Sequence, residues 1–389
     1  MGRFTLVPRL LTIAGLMTAA AGAVTPGVVA AASAGSVATS SGAPAAAASF
    51  AGPFVNVTTV ASTVPANGDV NPYGVAVVPT STGRLVAGDV LVSNFNNSSN
   101  LQGTGSTIVE VSPGGHVSLF ARLTKGHLNG ACPGGVGLTT GLVALESGWV
   151  VVGSLPTSDG SSATMRAGCL VVIDPMGNPV ETFWGSPING PWDMTALDEG
   201  SQADLFVSNV LNGTVAASPN VVDRGTVVRI ALQTGPGLPR VMSETVIGHG
   251  LPEQTNPSAL VLGPTGLGLA ADGTLYVADN IGNRIAWIPD AVTRTGAVTP
   301  ATLSAGEFLN GPLGVAIAPN GDILTVNSGN GKMVEITPMG VQVAVIVLDN
   351  TRESSGENGN GTLFGLAVTP SRNGVYFVDD GFNTLMLLH

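Results

Sequence analysis

Six polar side chains stand at one point of a recurring pattern: Asn94, Ser154, Asn209, Asp279, Asn327 and Asp379. Each ends a short apolar run, as in Val90-Leu91-Val92-Ser93-Asn94 and Leu275-Tyr276-Val277-Ala278-Asp279. Gathered in a ring, carboxylate and amide oxygens of this kind suit a hard cation such as Ca²⁺, which draws oxygen ligands from loops. They suit hydrogen bonding to a sugar or another polar ligand equally well. Asn and Asp at strand ends also bond their own loop backbone, so the recurrence has a structural explanation too. Asn280 and Asp380 follow directly behind two members of the set. Tyr73, Trp192, Asp193, His127, His249 and Glu307 are expected in loops leading into the units from the same side.

From these residues the candidate ligand-binding set is Tyr73, Asn94, Trp192, Asn209, Asn280 and Asn327. The candidate metal ligands are Asp193, Asp279 and Asp379, with Asn209 beside them. His127 and His249 are the candidate catalytic groups, because a His can bind Zn²⁺ or act as a general base near neutral pH. They do not form a close-spaced ligand motif; His116 is expected in a turn on the opposite face, and His389 is terminal. The sequence contains no nucleophile elbow, phosphate-binding P-loop, dinucleotide fingerprint or HExxH zinc motif.

The elements that must position these groups are visible as an internal repeat. Pro264 to Ile288 reads PTGLGLAADGTLYVADNIGNRIAWI, and Pro312 to Ile336 reads PLGVAIAPNGDILTVNSGNGKMVEI; the two align without a gap. Weaker copies bring the number to six, starting near 72, 139, 191, 264, 312 and 363. Each begins with a small apolar run, then an Asn-Gly, Asp-Gly or Ser-Gly turn such as Asn320-Gly321, then a second run ending in Asn or Asp. Such dipeptides supply the positive φ of tight hairpins. A third run alternates, as in Lys332-Met333-Val334-Glu335-Ile336, and a fourth closes the unit. No stretch of ten residues between 53 and 389 shows a helical period. Four strands repeated radially predict an all-β, six-bladed β-propeller of four-stranded antiparallel blades. The last copy stops at His389 after three runs, so the lone run Phe54 to Val60 is expected to complete its blade and close the ring. Gly and Ala at fixed register in the first run, such as Gly266, Gly314 and Ala316, suit the crowding around a central channel.

Composition narrows the partners. The formal net charge is −11 with only 10% charged residues, which lacks the basic footprint of a nucleic-acid binder. The first 34 residues carry Arg3 and Arg9, an apolar run, and small-residue cleavage sites after Ala23 or Ala34. They are therefore expected to be a secretory signal peptide, with no membrane insertion after cleavage. Residues 35–52 are expected to be an Ala/Ser/Gly-rich linker and residues 53–389 the propeller. Cys132 and Cys169 fall in the second copy, at strand ends expected on one face, and an oxidising compartment predicts a disulfide between them.

The stretch Gly273-Thr274-Leu275-Tyr276-Val277-Ala278-Asp279-Asn280, followed by Asn283-Arg284-Ile285, resembles the NHL repeat. That resemblance implies a six-bladed propeller and no single function. A related group, the gluconolactonase-like (SMP-30-type) propellers, holds a divalent metal at the channel mouth and opens its motif with Glu-Gly-Pro. The corresponding positions here are Asn189-Gly190-Pro191 and Asn310-Gly311-Pro312, so the Glu is replaced in both. The expected function is a secreted, monomeric binding or interaction module. Its site for a polar small molecule, glycan or protein lies at the channel mouth. The alternative is a Ca²⁺- or Zn²⁺-dependent hydrolase or lyase of the lactonase-like type.

Overall fold

The computed structural model describes residues 48–351 and 359–389. The signal peptide expected over 1–34 and most of the linker lie outside them. The described residues form six antiparallel sheets arranged as the blades of a propeller. The inner strands are Val70–Val77, Leu138–Ala144, Pro191–Asp198, Pro264–Leu269, Pro312–Ile317 and Leu363–Val368, in blades 1 to 6. Each packs on the inner strand of the next blade, and the last packs on the first. Among the described residues, helix is confined to single turns at Lys125–His127, Ser162–Thr164 and Thr214–Ala217. None is long and apolar enough to cross a membrane.

Local chemistry sets the strand ends. Gly321 sits at φ +90°, the left-handed turn residue that lets Pro312–Ile317 double back into Ile323–Asn327. The apolar alternation of the second and third strands is buried between neighbouring blades. Hydroxyls then tie the blades together near the axis. Ser93 Oγ donates to the carbonyl of Thr139 at 2.8 Å, Ser208 Oγ to that of Thr265 at 2.8 Å, and Thr265 Oγ1 to that of Leu313 at 3.2 Å.

The N-terminal strand Val57–Ser62 pairs with Thr384–Leu388 and is the outermost strand of blade 6. The ring is thus closed by strands from opposite ends of the sequence, as the three-run last copy requires. Just before it, residues 48–52, the end of the stretch expected to be a linker, are docked on blade 5. Glu335 accepts hydrogen bonds from Ser49 Oγ (2.6 Å), Phe50 N (2.6 Å) and Ala51 N (2.8 Å).

Blade 3 departs from the four-strand plan. Its outer strands, Val222–Gln233 and Arg240–Asn256, are far longer than those of other blades, and a fifth short strand, Leu260–Leu262, pairs with the end of the second. Cys132 and Cys169 are bonded, with Cα atoms 5.3 Å apart, and tie the segment before blade 2 to its third strand. The bridge spans 37 residues, which by loop entropy confines the unfolded chain by about 3–4 kcal/mol. Replacing both cysteines by Ser is expected to lower the unfolding free energy by that amount, read as a lower denaturant midpoint with a somewhat larger slope, because the uncrosslinked unfolded chain exposes more surface.

Candidate functional site

The strand pairing brings the six recurring polar residues to one end of the propeller. Asn94 lies opposite Pro72, Ser154 opposite Leu138, Asn209 opposite Pro191, Asp279 opposite Pro264, Asn327 opposite Pro312 and Asp379 opposite Leu363. All six are buried and engaged with nearby chain. Asn94 Nδ2 donates to the Thr63 carbonyl at 3.0 Å, and Ser154 Oγ to the Gly135 carbonyl at 3.0 Å. Asn209 Oδ1 accepts from Asn189 N, and Asn327 Nδ2 donates to the Phe308 carbonyl. Asp279 accepts from Gly282 N at 2.9 Å and forms an ion pair with Arg284 Nε at 2.7 Å, while Asp379 accepts from Phe382 N. Asn280 Nδ2 donates to Ser328 Oγ and the Pro312 carbonyl.

The other candidates are dispersed. His127 ends an exposed single turn between blades 1 and 2, with Nδ1 2.6 Å from Thr124 Oγ1. His249 is not in a loop before an inner strand: it is exposed within the outer strand Arg240–Asn256, and its backbone N–H donates to the Val298 carbonyl. Glu307 is exposed on a left-handed turn. Tyr73, Trp192 and Asp193 belong to the inner strands themselves. Among the described residues, no three His, Cys, Asp or Glu side chains converge as metal ligands. Asp279 is already neutralised by Arg284, and Asp193 lies in the channel rather than beside it. Among the described residues the expected carboxylates therefore do not come together as a Ca²⁺ or Zn²⁺ centre.

The axial channel has two unlike ends. Where the inner strands begin, Tyr73 stacks on Phe364 with ring centroids 3.8 Å apart and on Phe95 at 4.4 Å, with Trp192 at 6.5 Å. These rings belong to one buried apolar cluster with Leu155, Leu260 and Val261. Trp192 Nε1 donates to the Val261 carbonyl, and Ser162 Oγ reaches the Asn256 and Leu260 carbonyls at 3.1 and 2.8 Å. The connection after blade 2's second strand and the end of blade 3 thus meet as a cover, and this end is sealed.

The mouth is at the opposite end. Burial declines toward the finish of inner strands such as Pro312–Ile317 and Leu363–Val368. All six inner strands line a cavity of about 430 Å³, within the range of small-molecule sites. Most of the lining side chains are aliphatic, including Val75, Leu142, Met194, Leu267, Val315 and Leu366, with Thr140, Thr195, Asp193 and strand backbone as its polar surface, and Pro79, Glu146 and Asp198 also line it.

Asp193 is the buried carboxylate in that wall. Its backbone N–H donates to Ser208 Oγ at 3.1 Å, as that of Gly74 donates to Ser93 Oγ at 3.0 Å, so the two residues occupy one repeat position. Elsewhere this position is Gly for a steric reason. A Cβ on Gly314 would lie 2.2 Å from the Phe364 carbonyl oxygen of the next blade. Asp193 is nonetheless accommodated, 8% exposed, with Oδ1 accepting from Met194 N at 2.8 Å. Burial pushes its carboxyl up to about 7, offset in part by hydrogen bonds from the Met194 and Leu267 backbone. Beside it on the wall, Thr140 is 4% exposed and its hydroxyl has no hydrogen-bond partner among the described residues.

No family model matches the chain, nor does any curated protein. Solved structures do. A gluconolactonase from Xanthomonas campestris is 13% identical, with a TM-score of 0.52 over 85% of this chain and 88% of that one. A luciferin-regenerating enzyme is 12% identical, with a TM-score of 0.51 over 86% and 94%. An aldose sugar dehydrogenase from Streptomyces coelicolor, in its PQQ-bound form, is 16% identical, with a TM-score of 0.51 over 87% and 99%. At these identities the likeness establishes the class of architecture: a six-bladed propeller of the kind shared by gluconolactonase-like proteins.

Proposed function

We propose that this propeller is a secreted binding module that takes a small ligand into its axial channel through the single open mouth. The observation that carries this reading is the 430 Å³ cavity, built by all six blades, sealed at one end and holding a buried polar pair on an aliphatic wall. The Cys132–Cys169 disulfide supports an oxidising compartment. The Asn and Asp side chains at the sealed end bond nearby chain, with only Asn94 Oδ1 and Asn327 Oδ1 left without a partner among the described residues, and they lie behind the aromatic cover, so the open mouth is the better place for a ligand.

Ala367 lines the channel, and Ala367→Trp would fill much of it. Thermal melting against a panel of amines, alcohols, carboxylates and oligosaccharides is expected to show ligands that raise the melting temperature of the native protein and leave that variant unmoved. Stabilisation that survives Ala367→Trp would place binding elsewhere. The lactonase-like alternative predicts turnover of lactones or esters, abolished by chelator and restored by Ca²⁺ or Zn²⁺. That result would replace the binding-module reading.

A further inference from the structure

We propose that the channel selects a small organic monocation, an ammonium group carried on an apolar body, with Asp193 as its counter-ion. The proposal rests on the reading of the channel as a ligand site and supplies the chemical class of the ligand.

Four features of the wall converge on that class. Asp193 lines the cavity, its buried carboxylate accepts from backbone N–H groups alone, and among the described residues it has no ion-pair partner. A buried carboxylate left without a cation is costly, and a ligand that brings the cation removes the cost. No Lys, Arg or His lines the cavity, so the protein supplies no internal rival for that place. Thr140 on the adjacent blade also lines the cavity, and its buried hydroxyl, which has no hydrogen-bond partner among the described residues, is available as a second acceptor. An ammonium has three N–H donors, enough for the Asp193 carboxylate and the Thr140 hydroxyl together.

The remainder of the ligand is set by the remainder of the wall. Val75, Leu142, Leu267, Val315 and Leu366 offer aliphatic contact for an apolar body, while Thr195 and the backbone of the inner strands supply further polar surface. At the mouth, Glu146 and Asp198 add negative charge, in a chain of net charge −11. That field raises the local concentration of cations at the mouth and repels anions.

Asp193 also stands at a repeat position that packing otherwise reserves for Gly, as at Gly74. A carboxylate introduced where the fold itself calls for no side chain has a use outside the fold.

The test uses three probes of one shape on the full propeller: cyclohexylmethylammonium, cyclohexylmethanol and cyclohexylacetate, titrated calorimetrically at pH 8 and low salt. The ammonium is expected to bind about tenfold or more tightly than the alcohol, and the acetate weakest. Asp193→Asn, which keeps the acceptor for Met194 N, is expected to abolish the advantage of the ammonium over the alcohol. Thr140→Val is expected to weaken ammonium binding several-fold without reversing the order of probes. Equal binding of ammonium and alcohol to the native protein, lost in Ala367→Trp, overturns the charge selection while leaving the channel as a ligand site. An ammonium preference retained in Asp193→Asn assigns the selection to other groups and also overturns the proposal. Failure of all three probes to bind overturns this inference, and oligosaccharide or lactone binding in the same channel then decides the broader reading.

Discussion

A chain that begins at Thr63, lacking the strand Val57–Ser62, will not hold a closed ring. That strand pairs along its length with Thr384–Leu388, and flanking bonds join Asn56 N to the His389 carbonyl and His389 N to the Asn56 carbonyl. Losing roughly six hydrogen bonds at about 1 kcal/mol each removes a large part of the 5–15 kcal/mol that keeps a typical domain folded. It also leaves Thr384–Leu388 as an exposed strand edge, a template for aggregation. The truncated protein is expected to be insoluble or to melt far below the native one. A permutant that carries residues 56–62 after His389 through an Asn-Gly turn should restore the native melting temperature. Val57 lies opposite Leu388, so the two strands would then form a simple hairpin. A truncated protein with native stability would show that blade 6 holds with three strands.

Asp193→Asn is expected to stabilise the ligand-free protein at alkaline pH. The folded carboxyl titrates near 7 against 3.8 in the unfolded chain, so between those values the native state holds a proton that the unfolded state has released. Stability contributed by that proton is present at acid pH and is lost as pH rises toward and through 7. At pH 8 the difference amounts to on the order of 4 kcal/mol, at 1.36 kcal/mol per pH unit of displacement. The Asn variant should melt several degrees above the native protein at pH 8 and match it near pH 4. Parallel pH–stability curves for the two proteins would mean that the Asp193 carboxylate is solvated well enough to ionise without cost. Paired with loss of ammonium binding in the same variant, the result would make Asp193 a residue kept at the expense of stability.

Much of the architecture could be read from the sequence because propeller blades are local. Each hairpin is specified by an apolar run, a turn dipeptide and a second run, and the six copies fall where the inner strands begin. The closing strand was legible for a similar reason, since a copy that ends one strand short must find its partner elsewhere. The sealed end was not legible. Tyr73 and Phe95 share blade 1, but Phe364 and Trp192 come from blades 6 and 3, so no local pattern announces the stack they form together. The polar ring read as a ligand set because periodicity records position and not hydrogen-bond partners. Asp279 looks the same in sequence whether or not Arg284 neutralises it. His249 was misplaced because blade 3's outer strands run well beyond the length of the repeat. Asp193 did have a signal, a charged residue in register with Gly74, Gly266, Gly314 and Gly365. Comparing the copies for their exceptions reveals it, where comparing them for their likeness does not.

The aromatic seal turns a pipe into a cup. Inner strands of six to eight residues are about 20–26 Å long at roughly 3.3 Å per residue, and the depth available to a guest is less than that, because the aromatic rings fill the start. A polymer cannot thread such a vessel and could offer it only an end. Whatever enters must leave by the same opening, so two guests exclude one another and a bound molecule must depart before its successor arrives.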